Sequence, residues 1–489
     1  MKSKIILILV SILVASLFIR VYRISDILGF YYDQGRDASV IWELWHNNRF
    51  FLIGPTTGIE GIFRGPWYYW LIALPYLLGN GNPVWPSVFL SITTVVAVYF
   101  CFYLGNKIQG FQTGLLAALV SGFSFHIIQS SRWLSNPTPM LLISTLIIYF
   151  MFAIQDGKRW AWVGLSFFLG LAMQFGSATE IFFFPAIIIF FIWQYKNRPY
   201  SKQLLVAILV FFITILPQII FDLRHNNILS RNMINFLFEK GSFHTSFIDM
   251  IKIRFPFYFN TYFSSIFPSD LRVWYSFGLL ALISMVVNIK KIHPKIWTIV
   301  GILISVCVGM LFFRGNNGNI YGYYFTGSYL LFIIVFTYLI TIFPGKKFGS
   351  IIYFLFILVF IKQNLPLIKS YLSSEFDSPT TINFKNQKLA IDWIYMDAKN
   401  REFNVDVYVP PVIPYAYDYL FTWLGNTKYH KLPKTESSPN LYLLYEQDPP
   451  HPERLEKWML RQNTYAKVEA STSFKGITVE RRIRFSKNP

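Results

Sequence analysis

The residues best suited to chemistry lie in one stretch, Gly29–Ala38, directly after the first apolar segment. Asp33 and Asp37 are carboxylates, and Arg36 between them is a guanidinium. A carboxylate can accept the proton of an attacking hydroxyl, and an arginine beside it can bind a phosphate. The pattern predicts a group-transfer site with Asp33 as the base. Asp37 either assists or holds Arg36.

A plainer interpretation of Asp33 is that it caps the helix that follows it, a position that Asp fills well. After Asp33, apolar residues recur at helical spacing on one side, and polar residues occupy the other. The first set is Val40, Ile41, Leu44 and Trp45, and the second is Asp37, Glu43, His46 and Asn47. This arrangement predicts an amphipathic helix lying along a membrane surface. The sequence leaves both interpretations of Asp33 open.

Further polar residues lie where apolar segments end on the same side. The predicted phosphate ligands are Arg36, Arg64, Arg132, Arg224 and Arg314. The predicted substrate-pocket residues are Tyr32, Gln34, Glu60, Trp67, Tyr68, Asn136, Gln174, Glu180 and His225. Ionisable residues at span ends also act as snorkelling anchors, and aromatic residues form interfacial belts, so each residue taken alone fits that simpler role. Seven scattered histidines give no zinc-ligand spacing, and no metal ligand is predicted.

The composition indicates the kind of protein that carries these residues. Of 489 residues, 54% are hydrophobic and only 14% are charged, with a net charge of +19. Soluble domains carry about 25% charged residues, and a disordered chain would not be so apolar. The basic residues lie between long apolar runs and form no single basic face, which argues against nucleic acid as a partner. Cys101 and Cys307 lie inside apolar runs and are predicted to be buried thiols.

Eleven apolar runs are long enough to cross a bilayer, the first being an uncleaved N-terminal anchor. The predicted spans are 1–19, 84–104, 112–128, 138–154, 160–176, 181–195, 203–221, 273–289, 296–313, 320–343 and 348–364. The segment Trp67–Gly79 is short and suits an interfacial or re-entrant helix. If it does not cross, the Lys-rich loops fall on the same side as Lys2 and Lys4. The positive-inside rule then predicts a cytoplasmic N-terminus and an inner-membrane location, with the loop 21–83 outside.

The last part of the chain is more polar and contains many prolines. The predicted division is a transmembrane domain, 1–364, and a small, separate extracytoplasmic α/β domain, 365–489. Helices are predicted near 387–399 and 452–462, and strands at 405–409, 441–446 and in an alternating stretch ending at 476–485. No Walker or dinucleotide-binding glycine motif occurs, so the sequence gives no support for ATP-driven transport.

These features together resemble the GT-C glycosyltransferases, particularly the branch of protein O-mannosyltransferases and the aminoarabinose transferase of lipid A. The resemblance rests on an N-terminal helix followed by an external loop beginning with an Asp, interfacial helices, a Gly-Pro-Trp-Tyr-Tyr-Trp-Leu segment, about eleven spans and an external tail. Asp33 matches the first-loop Asp of the family. Asp33-Gln34 stands where many relatives have Asp-Glu, and Arg64-Gly65-Pro66 replaces a Lys-Pro-Pro element. Relatives carry a second acidic residue in the next external loop. This sequence has none there, and Asn136 stands nearest to that position.

The resemblance implies transfer of a sugar from a polyprenyl-phosphate carrier to an acceptor on the outer face of the membrane. Asp33 would serve as the base, and the anomeric carbon would invert. The partners would be the lipid-linked sugar, the bilayer and an acceptor glycan, lipid or protein. No cofactor is called for, and a divalent metal, although compatible with the chemistry, has no support in the sequence. A lipid-linked glycan flippase or secondary transporter is the main alternative. Such a protein should place ionisable residues near mid-membrane, whereas here they lie at the outer ends.

Overall fold

The computed structural model describes residues 2–57, 61–238, 247–268, 270–373, 381–410 and 413–485. Within these ranges the chain forms twenty α-helices and one four-stranded sheet. The helices are α1 (Lys2–Val21), α2 (Ile24–Ile27), α3 (Tyr32–Asn47), α4 (Trp67–Leu78), α5 (Val84–Gln109), α6 (Phe111–Phe123), α7 (Phe125–Arg132), α8 (Met140–Gln155), α9 (Ala161–Phe175), α10 (Phe183–Trp193), α11 (Ser201–Arg224), α12 (Ile228–Phe238), α13 (Phe247–Ser264), α14 (Leu271–Val287), α15 (Pro294–Leu311), α16 (Thr326–Thr341), α17 (Lys346–Ser373), α18 (Phe384–Ala398), α19 (Tyr415–Leu424) and α20 (Pro452–Asn463). The strands are β1 (Asn404–Tyr408), β2 (Asn440–Glu446), β3 (Ala466–Phe474) and β4 (Ile477–Arg484).

Every predicted span falls on an apolar helix or, for the third, on a pair of helices. In the described part of the chain, six helices are long and apolar enough to cross a membrane, and the bent pair α6–α7 would make a seventh. The remaining four predicted spans fall on the shorter apolar helices α8, α9, α10 and α14. The count of six or seven candidate spans rests on helix length and composition alone. The eleven predicted crossings therefore stay a prediction.

The third predicted span is not one straight helix. Helices α6 and α7 meet at a bend of 58°. Ser124 between them has extended backbone geometry, and its hydroxyl accepts a hydrogen bond from the Ile127 amide at 3.3 Å. It also donates to the Ser265 carbonyl at 2.7 Å. Serine is a strong N-cap residue, so a polar side chain inside the apolar run begins a new helix there.

Two arginines fix the C-terminal end of α1, and we call this pair the α1 clamp. Arg20 is fully buried and donates to two carbonyls in the last turn of α6, at 2.8 and 3.2 Å. Arg132, at the end of α7, donates to the Ile19 and Tyr22 carbonyls at 3.3 and 3.0 Å. The last carbonyls of a helix have no partner within the helix, and a cation there is favoured by the helix dipole. The clamp therefore satisfies the ends of both helices.

Helix α16 lies at the centre of the transmembrane part. Nearly all of its residues are buried, and it packs against α6, α8, α14 and α15. Small and hydroxyl-bearing residues such as Gly327, Ser328 and Thr337 suit contact with other helices better than contact with lipid. The Thr337 hydroxyl inside it donates to the Ile333 carbonyl one turn earlier, at 2.7 Å. A buried hydroxyl is thus satisfied within its own helix.

The first loop contains the predicted amphipathic helix as α3, but its buried face differs from the prediction. Asp37 lies on the buried side with Ala38 and Ile41, and Trp45 is 40% exposed. The sequence pattern placed Asp37 on the polar side. The difference arises because α4 packs against α3 on that side, where the Tyr69 hydroxyl donates to Asp37 Oδ1 at 2.8 Å.

The tail folds around a mixed sheet of order β1-β2-β4-β3. Strands β1 and β2 are parallel, and the other two pairs are antiparallel. Successive residues of a strand point to opposite faces. Leu441 and Leu443 accordingly pack with Trp458 of α20, whereas Tyr442 and Leu444 belong to the main core.

Two features of the structure bear on the predicted division between the transmembrane part and the tail. Helix α17 continues to Ser373, so the predicted boundary at 364/365 falls inside a helix. The tail was expected to be separate, but Tyr419 and Trp423 of α19 donate hydrogen bonds to the Gly81 and Asn80 carbonyls of the first loop. The division into two domains stays a prediction.

Candidate functional site

The chain turns into α3 through a reciprocal contact at its first residues. Tyr31 is the N-cap, and the Gln34 side chain reaches back to accept from the Tyr31 amide at 3.1 Å. The other end of the same side chain donates to the Leu134 carbonyl at 3.1 Å. Asp33 is therefore the second residue of the helix, and the interpretation of Asp33 as the N-cap is wrong. Gln34, predicted to line the pocket, is buried and joins α3 to the chain after α7.

Three side chains of α3 form the Asp33–Arg36–Asp37 cluster. Arg36 Nη1 lies 2.9 Å from Asp33 Oδ1, and Arg36 Nη2 lies 2.8 Å from Asp37 Oδ1. The Asp33 side chain is 56% exposed, whereas that of Asp37 is 6% exposed. One guanidinium thus joins an accessible carboxylate to a buried one. Only the accessible carboxylate is placed to meet an incoming hydroxyl.

Two residues from outside α3 complete the cluster. Tyr69 of α4 donates to Asp37 Oδ1 at 2.8 Å, and Arg36 Nη1 donates to the Thr56 hydroxyl at 3.0 Å. Burial raises the pKa of Asp37 to about 6, against the opposing effects of Arg36 and Tyr69. The carboxyl is ionised at neutral pH and pairs with Arg36. Neither Tyr69 nor Thr56 is among the residues that the sequence analysis predicted for the site.

A short hairpin holds Thr56 and Arg64 beside this cluster. Gly54 N donates to the Arg64 carbonyl at 2.7 Å, and Arg64 N donates to the Pro55 carbonyl at 3.1 Å. A β-carbon on Gly54 would lie 2.1 Å from the Gly65 carbonyl oxygen. The two chain segments can approach this closely only because glycine has no side chain. The glycines that the sequence places around Arg64 are therefore required by the packing of this hairpin.

Arg64 has hydrogen-bonding capacity that no described residue uses. Its Nε is buried and has no partner in the described part of the chain. Burial lowers the pKa of Arg64, while the charge of Glu180 and the nearby hydroxyls of Tyr323 and Tyr324 raise it. Arg36 is also close enough to repel it electrostatically. A guanidinium with an unused buried N–H is suited to an anionic ligand.

Two glutamines, Gln174 and Gln218, connect the hairpin to the transmembrane helices α9 and α11. Gln174 of α9 is fully buried, and its Nε2 donates to Gln218 Oε1 at 2.7 Å. Gln218 Nε2 then donates to the Phe63 carbonyl at 3.1 Å. A β-carbon on Gly65 would meet the Gln174 side chain, so this contact is direct. Gln174 thus positions the segment that carries Arg64.

Three other predicted pocket residues lie near Arg64 or next to it in sequence. Glu180 is 3% exposed, and its Oε2 has no partner among the described residues. Trp67 donates from Nε1 to the Thr214 carbonyl at 2.7 Å and so ties the start of α4 to α11. The Tyr68 hydroxyl is buried and likewise finds no described partner. Glu180 and Tyr68 thus keep polar atoms available, and Trp67 does not.

The structure does not bring the remaining predicted phosphate ligands to the cluster. Two nitrogens of Arg132 are occupied by the carbonyls of the α1 clamp. Arg224 and Arg314 are exposed, and neither side chain makes a hydrogen bond or ion pair with any residue that the structure describes. Their role in binding phosphate stays a prediction.

The other predicted pocket residues have local partners. Asn136 donates to the Phe175 carbonyl at 2.9 Å, and Tyr32 packs edge-on against Tyr415 at 4.9 Å. His225 is stacked on Phe221, with ring centroids 4.0 Å apart. Glu60 lies outside the described residues. Across the described ranges, no group of three or more His, Cys, Asp and Glu side chains could hold a metal ion.

Comparison with known proteins supports a class of fold. Residues 64–221, less than half of the chain, match the family described as dolichyl-phosphate-mannose-protein mannosyltransferase. Comparison with curated proteins by sequence finds no match. The predicted resemblance to the GT-C glycosyltransferases is confirmed for the fold by this match and by two solved structures.

Both structures are of ArnT from Cupriavidus metallidurans. The one bound to undecaprenyl phosphate has a TM-score of 0.58 and 10% identity, and the match covers 97% of each chain. The apo form has a TM-score of 0.62 and 9% identity, covering 96% of this chain and 97% of the other. The AglB oligosaccharyltransferase from Archaeoglobus fulgidus has a TM-score of 0.49 and 11% identity, and the match covers 98% of this chain and 74% of the other. The likeness to ArnT and the apolar helices indicate a multi-pass membrane protein.

Proposed function

We propose that this chain is an integral membrane glycosyltransferase that moves a sugar from a polyprenyl-phosphate donor to an acceptor on the extracytoplasmic face. The observation that carries the proposal is the Asp33–Arg36–Asp37 cluster, which presents one accessible carboxylate next to guanidinium groups. Arg36 lies 2.9 Å from Asp33, and Arg64 retains an unused buried N–H nearby. The matched family is described by a lipid-phosphate sugar donor, and one ArnT structure holds undecaprenyl phosphate.

The proposed step is a single displacement at the anomeric carbon. The acceptor oxygen forms a bond to that carbon, and the bond from carbon to the phosphate oxygen breaks. The acceptor's proton passes to the Asp33 carboxylate, and polyprenyl phosphate leaves with the bonding electron pair. Attack from the face opposite the phosphate inverts the anomeric configuration. The energy is already present in the phosphate–sugar bond, so no nucleotide takes part.

The charge on the departing phosphate sets the role of the arginines. Arg64 would bind the phosphate, because its guanidinium has an N–H without a described partner. Arg36 would stabilise the developing charge while Asp37 holds it in place at 2.8 Å. Asp37 is buried and receives bonds from Arg36 and Tyr69, so we assign it a positioning role and leave the base to Asp33.

The proposed orientation follows from the charges at the other ends of the helices. Lys107, Lys295 and Asp156 meet there, with Lys295 Nζ 2.5 Å from Asp156 Oδ1. Under the positive-inside rule, basic residues at these helix ends favour the cytoplasmic face of the cell's inner membrane for this side of the protein. The N-terminus would then be cytoplasmic, and the cluster and the tail would be outside. The donor could carry a hexose or a pentose, and the acceptor could be a lipid, glycan or protein.

The test is incubation of the purified protein in detergent or liposomes with a panel of polyprenyl-phosphate sugars. We expect consumption of at least one donor, release of polyprenyl phosphate and a product with inverted anomeric configuration by NMR. Each donor should also be followed across the bilayer of sealed vesicles. Movement of an intact donor across the bilayer without consumption of any donor would contradict the proposal and favour the flippase alternative.

A further inference from the structure

The residues around Asp33 are held by the tail of the chain. Phe384 N donates to the Leu28 carbonyl at 3.0 Å, and Gln387 Nε2 donates to the Phe30 carbonyl at 2.9 Å. The Tyr31 hydroxyl donates to the Ile382 carbonyl at 3.1 Å. Hydrogen bonds to the tail therefore reach three residues between 28 and 31, directly before α3.

The closest approach occurs inside α3, two residues after Asp33. A β-carbon on Gly35 would lie 2.4 Å from Ala416 N and 2.4 Å from the carbonyl carbon of Tyr415. Real β-carbons do not approach backbone atoms so closely, and these atoms belong to the first turn of α19. A glycine within a helix destabilises it by about 1 kcal/mol relative to alanine. The contact with α19 explains why this position has no side chain.

The same helix also holds the far end of the first loop. Tyr419 packs edge-on against Trp42 of α3, and its hydroxyl donates to the Gly81 carbonyl. Trp423 Nε1 donates to the Asn80 carbonyl at 2.8 Å. Helix α19 is buried along most of its length, with Leu420 fully buried. Helix α19 therefore packs between α3 and the turn after α4 and contacts both.

We propose that α19 is a positioning element for the transfer step, and that Gly35 is the residue that allows it to set the place of Asp33. The inference rests on the proposed function for its catalytic meaning and on the contacts above for its geometry. Moving α3 away from α19 would displace Asp33 relative to Arg64, which is carried by a different segment. Displacements of about 1 Å reduce rates by roughly 10²-fold. Gly35 and α19 thus act through Asp33 and touch no substrate themselves.

The test compares Gly35→Ala with Gly301→Ala in the full-length protein. Gly301 lies in α15, and a β-carbon there meets nothing within 4 Å, so it controls for the change in helix propensity. We expect Gly35→Ala to lower kcat at least tenfold or so while the KM for the donor stays within about twofold, because Arg64 is not displaced. Gly301→Ala should leave both unchanged. Equal kcat values for Gly35→Ala and the wild type would overturn the inference.

A second measurement does not depend on activity. Hydrogen–deuterium exchange of peptides covering 31–39 should become faster in Gly35→Ala and not in Gly301→Ala. If Gly35→Ala does not fold, Tyr415→Leu replaces it, since that change removes the edge-on ring contact between α19 and Tyr32 of α3, at 4.9 Å. Unchanged exchange in a folded variant would overturn the inference. A wild-type protein that transfers no sugar would instead contradict the proposed function. The exchange result would then still show whether α19 holds α3 in place.

Discussion

Two sets of arginines on the same side of the molecule have different partners. In the α1 clamp, Arg20 and Arg132 donate to backbone carbonyls at the ends of helices. At the Asp33–Arg36–Asp37 cluster, Arg36 pairs with two carboxylates, and Arg64 keeps a buried N–H without a described partner. Carbonyls are neutral, and they occupy Nη donors of both clamp arginines, while Arg20 Nε, like Arg64 Nε, is buried without a described partner. The comparison teaches that the partner, and not the position at the end of a span, separates a structural arginine from one available to an anion.

Among the arginines, the largest effect is expected at Arg36. Arg36→Ala removes the cation next to Asp33 and leaves the buried Asp37 carboxylate unpaired, so kcat/KM should fall by about 10²–10³-fold. Sugar transfer from a polyprenyl-phosphate donor measures it. Arg49→Ala is the matched control. Arg49 lies just after α3 and pairs with Glu43 of that helix at 3.0 Å, but its side chain is 74% exposed. If Arg36→Ala and Arg49→Ala had equal activities, Arg36 would have no special role in the transfer step.

The second prediction tests the clamp. Arg132→Ala leaves the Ile19 and Tyr22 carbonyls without donors and should lower the free energy of unfolding by about 2–4 kcal/mol. Thermal unfolding in detergent measures this loss, with the exposed Arg224→Ala as control. If Arg132→Ala kept the wild-type stability and instead raised the KM for the donor, Arg132 would belong with the phosphate ligands, as the sequence predicted.

The third prediction concerns Arg64. Arg64→Ala should raise the KM or Kd for the donor about tenfold and change kcat less, because one phosphate contact contributes roughly 1–3 kcal/mol. Arg272→Ala, an exposed arginine at the start of α14, is the control. Titration with a polyprenyl phosphate reports binding without turnover. An unchanged affinity would show that the unpartnered N–H of Arg64 does not bind the phosphate of the donor.

The smallest effect is a pH step from Asp37. Its pKa is raised to about 6, so the carboxyl becomes neutral as the pH falls below that value and no longer holds Arg36 by charge. Activity should therefore decline by about two- to fivefold as the pH falls through 6. Asp37→Asn should have lower activity that lacks this step. A step of the same size in the variant would have to come from another group.

The sequence was sufficient for local features and insufficient for contacts between distant segments. Asp33 lies three residues before Arg36 and four before Asp37 in one helix, so its side chain shares a face with both. Tyr69 and Thr56 reach the same cluster from α4 and the hairpin, and nothing in the local sequence indicates that contact. The apolar runs likewise predicted helices well, because burial in a membrane requires long apolar segments.

The fold predicted for the tail was incomplete for a similar reason. The two helices and the strands expected from periodicity occur at β1, β2, β4, α18 and α20, but α19 was not predicted. Prolines at 410, 411 and 414 indicate a loop, and the aromatic sequence after them has no clear helical period. Helix α19 exists because α3 and the turn after α4 bury it. The burial of Asp37 has the same kind of cause, since Tyr69 of α4 packs onto it from a distant segment.

The most direct test of the account is Asp33→Asn compared with Asp26→Asn. Asp26 lies in the same loop and pairs with Arg23 at 3.4 Å and i,i+3 spacing, as Asp33 pairs with Arg36, so the two changes remove equivalent charges. With the donor saturating, Asp33→Asn should lower kcat by about 10²–10⁴-fold in a protein of wild-type stability. Asp26→Asn should stay within about twofold of wild type, since surface ion pairs contribute little. Wild-type turnover in Asp33→Asn would contradict the assignment of Asp33 as the base.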